Sequence, residues 1–208
     1  MERPPDLNKR VREFRFKNII DMGIDFSAMI RVFEKGSKKK LHGRILSEVR
    51  NVFGAKSEGD FRDIHSNFCD WGQKEIGLAK KAEPARYGQI AKTFDVTLKV
   101  VIYYSELPDS RKSTEISEWL NAAVDTKMMN MLEHVLNRKY SATIQPWPKT
   151  VGQVDEKAYL TLQKIVRKFI AEVHNNGIKP VQFDDIYWRL LNREREQLES
   201  LKTYLNWR

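Results

Sequence analysis

The chain has 208 residues, of which 41% are hydrophobic and 31% are charged. This length suffices for one domain with its own hydrophobic core and is short for two, so we predict a single domain over residues 1–208. The 37 Lys and Arg residues against 28 Asp and Glu residues give a formal net charge of +9. This excess of positive charge favours phosphates or another anionic surface as the partner.

The cysteine content and the first residues bear on the cellular compartment. The single cysteine, Cys69, excludes an intrachain disulfide and is consistent with a reducing environment. The sequence begins MERPPD, without the apolar segment of a signal peptide, and no stretch approaches the roughly 18 apolar residues of a membrane span. We therefore expect a cytoplasmic protein that does not associate with membranes.

Apolar residues recur every three or four positions along most of the chain, and convincing runs of alternating polarity are absent. This periodicity predicts an all-α fold class: a single multi-helix globular domain of about eight or nine helices. The first predicted helix runs from about Leu7 to Asp21, and a shorter one covers residues 26–33. A loop over residues 35–40 separates these from an amphipathic helix that carries Leu41 on its apolar face.

Capping and breaking residues mark the helices in the middle of the chain. Ser57 begins a capping box for a helix with Phe61 and Trp71 on one face. After the break at Pro84, a helix from near Tyr87 to Tyr104 buries apolar residues at i, i+4, i+8 and i+11.

The last third of the chain contains the best candidate for an internal boundary. A polar helix leads to Asp125, whose position suits the N-cap of a Met-rich helix. The Pro146-Trp147-Pro148 turn follows, which places a possible sub-boundary near residues 145–150. Beyond it lie one helix that ends at Asn176-Gly177 and one that runs from about Phe183 to the end. Two helices are too few for a self-sufficient domain, so we expect them to complete the same fold.

Two short strings carry residue types that suit glycosidic-bond chemistry. The first is Lys92-Thr93-Phe94-Asp95-Val96-Thr97-Leu98, and the second is Ala123-Val124-Asp125-Thr126. A lysine amine can attack a sugar carbon and form a Schiff base, while a carboxylate can stabilise the positive charge that develops on the sugar ring. Lys92 and Asp125 are therefore the candidate catalytic residues.

These strings resemble those of the helix-hairpin-helix DNA glycosylases, the superfamily that includes endonuclease III. In that family a hairpin leads into a helix that opens with a Lys-Thr pair, and an Ala/Pro-Val-Asp-Thr string opens the next helix. The resemblance covers roughly residues 86–136 and implies that Lys92 is the Schiff-base nucleophile and Asp125 the catalytic carboxylate. Of the usual hairpin glycines only Gly88 is present. The string from Tyr87 to Lys92 is also similar to an uncharacterised all-helical bacterial family, which implies no function.

Basic and aromatic residues provide candidates for contacts with nucleic acid. Residues 35–44 contain several basic side chains and no acidic one, and such a run on a loop can neutralise phosphates. Aromatic side chains stack on bases or wedge between them, and we select Trp119 for this role. The other aromatic candidates are Tyr103, Tyr104 and Trp147. The predicted nucleic-acid contacts are Lys35, Lys38, Lys39, Lys40, Arg44 and Trp119.

Each catalytic candidate also has a purely structural explanation. A lysine on the polar stripe of an amphipathic helix is ordinarily solvated, and this applies to Lys92. On the same stripe, Asp95 and Lys99 are expected to form an ordinary i, i+4 ion pair. Asp125 as an N-cap contributes about 1 kcal/mol to its helix without any catalytic role.

Metal and thiol chemistry receive little support from the sequence. His65 and Cys69 lie one helical turn apart, but two residues do not make a metal site. The same pair lacks a third group that would orient the imidazole for nucleophilic catalysis. One cysteine cannot build a four-thiolate iron–sulfur site. We predict neither a bound metal nor a cofactor.

Three functions follow from these observations. The first is a base-excision enzyme that binds duplex DNA through its basic surface, flips a nucleotide and cleaves the glycosidic bond. The second is a non-enzymatic DNA- or RNA-binding module, and the third is a helical partner-binding protein. The first function requires Lys92 and Asp125 to line one cleft with basic residues at its rim.

Overall fold

The computed structural model describes residues 7–80, 82–140, 144 and 146–193. Within these residues the chain forms eight α-helices and no β-strand, which confirms the all-α prediction. None of the described helices has both the length and the apolar character that a membrane crossing requires. The helices are α1 (Leu7–Phe26), α2 (Ser37–Gly54), α3 (Glu58–Glu75), α4 (Tyr87–Leu98), α5 (Ser110–Ser117), α6 (Thr126–Tyr140), α7 (Glu156–His174) and α8 (Pro180–Arg193).

The central helix of the fold is α4. It packs against α1, α3 and α7 and continues directly into a π-helical segment, Lys99–Tyr104. Ten of its 12 residues are buried, and the two exceptions are Lys92 and Val96. Because these two residues are four positions apart, they lie on one side of the helix. That side is the only part of α4 that its neighbours leave accessible.

Glycines allow the neighbouring helices to approach α4 closely. A Cβ atom on Gly23 of α1 would lie 2.7 Å from the Cα atom of Thr97, and one on Gly72 of α3 would overlap the side chain of Ile90. Since the interior is close-packed, neither position has room for a larger side chain without a backbone shift. These contacts set the orientation of α4 and therefore the direction in which Lys92 points.

The hydrophobic core extends across the predicted sub-boundary. One contiguous cluster includes buried side chains from Ile20 in α1 to Tyr187 in α8, on both sides of the Pro146-Trp147-Pro148 turn. Residues 141–143, 145 and 194–208, which contain part of the predicted boundary and the end of the last predicted helix, lie outside the described residues. The limits of the domain therefore stay a prediction.

Two predicted elements before α2 differ from the observed ones. The predicted loop over residues 35–40 is wrong, because α2 begins at Ser37. The preceding residue, Gly36, has a φ of 95°, a left-handed conformation that glycine adopts without steric cost. This single residue changes the direction of the chain directly before α2. In place of the predicted helix over residues 26–33, only a 3-10 turn, Met29–Arg31, follows the longer α1.

Candidate functional site

Lys92 and Asp125 line the same cavity. The cavity has a volume of about 470 Å³ and lies where α4 and its π-helical continuation meet the end of α1 and the starts of α6 and α8. A volume of this size is within the range of small-molecule sites. The polar side chains that line it are Ser27, Lys92, Lys99, Tyr104, Asp125, Asp184 and Asp185.

The backbone of the cavity wall includes one unusual conformation. Ala28 has a φ of 60°, in the left-handed region that a residue with a Cβ atom seldom adopts. It lines the cavity directly after the end of α1. Conformations of this kind cost free energy and concentrate at functional sites, so this position is consistent with a wall shaped for a ligand.

Lys92 reaches the cavity from α4. Its side chain is half-buried and forms no hydrogen bond or ion pair with another residue of the described part of the chain. Because the rest of α4 is packed on all other sides, rotation of the helix cannot carry Lys92 away from the cavity. An amine without a partner in such a place is available to a substrate carbon or to an anionic ligand.

Asp125 lies at the start of α6. Its Oδ1 atom accepts a hydrogen bond from the Met128 amide at 2.8 Å, which confirms the predicted N-cap. The backbone just before it is held by the side chain of Gln163, which accepts from the Ala122 amide at 3.1 Å and donates to the Ala122 carbonyl at 2.9 Å. These bonds anchor the segment that carries Asp125 at the edge of the cavity.

A second charged group in the cavity joins the π-helical segment to α8. The Nζ atom of Lys99 lies 2.7 Å from Oδ2 of Asp184 and 2.5 Å from Oδ1 of Asp185, and its side chain is only 6% exposed. The hydroxyl of Tyr104 donates a hydrogen bond to the other oxygen of Asp185. The predicted ion pair between Asp95 and Lys99 is wrong, because each side chain is buried with a different partner.

The π-helical geometry explains why Lys99 and Tyr104 meet at Asp185. In an α-helix, residues five positions apart differ by about 140° around the axis. A π-helical turn closes its hydrogen bonds over five residues, as the Ser105 amide does with the Val100 carbonyl at 3.1 Å, and brings such residues to one side. The cluster could not be predicted from the sequence, because α-helical spacing directs the two side chains apart.

Asp184 has one oxygen without a hydrogen-bond partner. Its Oδ2 atom accepts from Lys99, whereas its Oδ1 atom is buried and unpaired among the described residues. Burial raises the pKa of Asp184 to about 6, although the charge of Lys99 acts in the opposite direction. Near neutral pH this carboxyl group is therefore close to the point at which it gains a proton.

The predicted basic contacts lie around the start of α2 and differ in their partners. Lys35 and Lys39 are exposed and form no ion pair with a residue that the structure describes. Lys38 pairs with Asp25 at 2.7 Å, next to the cavity wall that includes Phe26. The other two are bonded within the protein, Lys40 to the carbonyl of Glu75 and Arg44 to Glu48. None of these five residues lines the cavity, and Lys35 and Lys39 are the two whose side chains are available for phosphates.

Trp119 is not among the residues that line the cavity. Its ring packs against the core with the ammonium group of Lys112 at 5.3 Å from the ring centroid, and its carbonyl accepts a hydrogen bond from Arg167 at 3.1 Å. Tyr104, in contrast, is 56% exposed and lines the cavity. Of the predicted aromatic contacts, Tyr104 is the one that lines the cavity.

A hydrogen-bonded group of His65, Cys69, Asp95 and Tyr159 lies buried in the core. Nδ1 of His65 is 3.8 Å from Sγ of Cys69, and its Nε2 is 2.9 Å from Oδ1 of Asp95. The Tyr159 hydroxyl donates to the other oxygen of Asp95 at 2.7 Å. The expectation that no third group orients His65 is therefore wrong. The order of thiol, imidazole and carboxylate is that of a catalytic triad, but Cys69 is fully buried, so the group is structural.

The charges in this group hold His65 in its protonated form. Burial by itself lowers the pKa of His65, but the interactions with Cys69 and Asp95 outweigh it and raise the pKa to about 10. Burial also raises the pKa of Cys69. The carboxylate of Asp95, whose Oδ1 atom lies 2.9 Å from Nε2 of His65, stabilises the imidazolium.

The described residues contain no group of three or more His, Cys, Asp or Glu side chains that could hold a metal ion. Comparisons of the chain with family models, with curated proteins and with solved structures found no match.

Proposed function

We propose that this protein binds duplex DNA and acts on it as a base-excision glycosylase and abasic-site lyase. The observation that carries the proposal is that Lys92 and Asp125, which are 33 positions apart in the sequence, line one cavity. A nucleophilic amine and a carboxylate in one cavity are the two groups that glycosidic-bond cleavage through a Schiff base requires. The likeness of their strings to those of the helix-hairpin-helix glycosylases supports the same roles.

Lys92 is the proposed nucleophile. Its neutral amine attacks C1′ of a flipped nucleotide, the bond from C1′ to the base breaks, and the base leaves with the electron pair and takes up a proton. The amine nitrogen loses two protons, one to the departing base and one to O4′ as the bond from C1′ to O4′ breaks and the sugar ring opens, which leaves an imine between Lys92 and C1′. On an abasic sugar the same amine condenses with the aldehyde and releases water.

Asp125 is the proposed electrostatic partner of this step. Positive charge develops on the sugar ring as the base departs, and a carboxylate close to the ring stabilises that charge. One oxygen of Asp125 already accepts the Met128 amide, which fixes the orientation of the carboxylate. The cap and the catalytic role are compatible because a carboxylate has two oxygens.

The surroundings of the cavity suit a nucleotide. Tyr104 presents an exposed ring on which a base can stack, and stacking contributes about 1–3 kcal/mol per base. Lys35 and Lys39 at the start of α2 have no ion-pair partner in the described chain and can contact phosphates. The net charge of +9 favours the same polyanionic partner.

Covalent trapping tests the proposal. A duplex with one abasic site is incubated with the protein in the presence of borohydride, which reduces an imine to a stable amine and cross-links protein to DNA. We expect a cross-link with the wild-type protein and at least a tenfold loss with Lys92→Ala. The matched control is Lys164→Ala, which removes an exposed lysine of α7 that is outside the cavity. Lys99 is unsuitable as a control because it is buried in an ion-pair cluster.

The principal alternative is a nucleic-acid-binding protein without catalysis. The observation in its favour is that the N-cap bond to Met128 by itself accounts for an aspartate at position 125. In that case DNA binding persists, while the wild-type protein, Lys92→Ala and Lys164→Ala give the same cross-linking. Absence of DNA binding at low salt would overturn both proposals.

A further inference from the structure

Helix α1 carries apolar side chains on two opposite faces. The inner face, with Ile20, Gly23 and Ile24, is buried against the rest of the protein. No residue that the structure describes covers the outer face, and its apolar side chains are each at least 50% exposed. The exposed apolar residues of α1 are Leu7, Val11, Phe14, Met22 and Phe26, five of the eight large exposed hydrophobic residues in the described chain.

The first half of α1 receives little support from the core. Residues 7–15 are all exposed, and the first contact with the core is made by Phe16, whose ring centroid lies 5.9 Å from that of Phe53. A short helix in water is marginal without tertiary packing, because nucleation is costly and each residue adds little. An extended apolar stripe on such a helix is typical of an interface.

The stripe is self-complementary when two copies of the helix run antiparallel. The positions of Leu7 and Phe26 sum to 33, and so do those of Val11 and Met22. A two-fold axis at the middle of α1, between Phe16 and Lys17, therefore pairs Leu7 of one copy with Phe26 of the other, and Val11 with Met22. We infer that α1 is the interface of a homodimer in which two copies of this helix pack antiparallel along their outer faces.

The charges of α1 favour the same arrangement. Its first half, residues 7–17, holds five basic residues and one acidic residue, a net charge of +4, whereas residues 18–26 hold two aspartates and no basic residue. An antiparallel pair places each basic half against an acidic half, while a parallel pair places like charges together. Arg10 and Asp21, 11 positions and about three turns apart, lie on one flank of the stripe. In this register they are offset by two positions, roughly 3 Å along the axis, which long side chains can span. Within its own chain, Asp21 has Nε2 of His42 at 3.9 Å.

This interface adjoins the cavity. Phe26, the last residue of the stripe, also lines the cavity that contains Lys92. In the dimer, Leu7 of the second copy packs against Phe26 and covers its exposed edge. The inference does not depend on the proposed catalysis, because it derives from the apolar stripe and the charges of α1 alone.

The mass of the full chain in solution tests the dimer. Sedimentation equilibrium at micromolar concentrations should give twice the 24.5 kDa of one chain for the wild type, and 24.5 kDa for Val11→Glu with Phe14→Glu. The matched control is Leu160→Glu, which changes an exposed hydrophobic residue of α7 and should leave the dimer intact. All three proteins should still show a cooperative thermal melt, because none of these side chains belongs to the core. The monomeric double variant alone should lose a small part of the helical signal, from the first half of α1.

A charge exchange gives an independent test of the antiparallel register. Arg10→Glu alone and Asp21→Arg alone should each weaken dimerisation at least tenfold, and the double variant should restore it. A wild-type mass of 24.5 kDa across the concentration range overturns the inference, and so does equal loss of the dimer in Leu160→Glu. A loss of DNA affinity in Val11→Glu with Phe14→Glu, without any change in mass, would assign the stripe to DNA instead and also overturn it.

Discussion

The Nε2 atom of His65 lies 2.9 Å from Oδ1 of Asp95 and joins α3 to α4 at a point where both side chains are buried. The Tyr159 hydroxyl, from α7, donates to the second oxygen of Asp95. Three helices therefore meet at one carboxylate. Because α4 also carries Lys92 on its accessible side, this polar group helps to hold the candidate nucleophile in place.

Removal of the charge of Asp95 should destabilise the protein strongly. Asp95→Asn leaves a buried imidazolium without its counter-ion, and the loss of one partner of a buried pair costs about 3–5 kcal/mol. The free energy of unfolding from urea titrations measures the effect. Asp63→Asn, which changes an exposed aspartate of α3, is the control and should shift stability by less than about 0.5 kcal/mol. Equal effects of the two variants would contradict the role assigned to Asp95.

The stability of the protein should fall as the pH rises from about 6.5 to about 10. The pKa of His65 is raised in the folded state to about 10, whereas an unfolded histidine titrates near 6.5. Below the unfolded value both states are protonated and the stabilisation is complete. As the pH rises, the unfolded state loses its proton first, so the free energy of unfolding decreases. Urea titrations at pH 6, 8 and 10 should show this decrease, and His65→Gln should remove most of it.

Asp184 should give a pH dependence in the acid range. Its folded pKa of about 6 exceeds the unfolded value of 3.8, so its contribution to stability is complete below pH 3.8 and is lost as the pH rises through 6. A difference of about two between the folded and the unfolded pKa corresponds to roughly 3 kcal/mol in the free energy of unfolding. Relative to Asp184→Asn, the wild-type protein should therefore become less stable between pH 4 and pH 7. If the free energies of unfolding of the two proteins differ by a constant amount from pH 4 to pH 7, Asp184 is ionised throughout that range.

Two substitutions of Asp125 should separate its cap from its proposed catalytic role. Asn is as good an N-cap as Asp, so Asp125→Asn should keep the melting temperature, whereas Asp125→Ala should lose about 1 kcal/mol of stability. Both should reduce turnover of a damaged duplex by orders of magnitude and leave DNA affinity nearly unchanged, since the carboxylate acts in the transition state. Full activity of Asp125→Asn would leave this residue a helix cap only.

The salt dependence of DNA binding should distinguish free lysines from paired ones. Lys35→Ala with Lys39→Ala should lower the slope of log K against log salt by about 2, because each phosphate contact contributes about 0.9 to the slope. Lys38→Ala with Lys40→Ala should change the slope less, because these lysines are bonded to Asp25 and to the carbonyl of Glu75. Fluorescence anisotropy of a labelled duplex over a salt series measures both slopes.

Local features were predictable from the sequence because they depend on neighbouring residues. The caps at Ser57 and Asp125 were predicted at the positions where their side chains accept the Asp60 and Met128 amides. The loop before α2 was predicted too long, because a run of lysines resembles a loop in composition. The sequence alone could not indicate that Gly36 turns the chain directly into the helix.

The all-α class, the helix that carries Lys92 and the cap at Asp125 follow from the sequence, because helical periodicity and capping act within a few residues. Which charged groups are buried together depends on contacts between distant parts of the chain. Lys99 meets Asp184 across 85 positions, and His65 meets Asp95 across 30. Such pairs depend on how helices pack and on the π-helical turn that redirects Tyr104. α-Helical spacing alone places such polar side chains on a solvated stripe. In the fold, Lys99 and Asp184 line the cavity, whereas His65 and Asp95 form a hydrogen-bonded pair within the core.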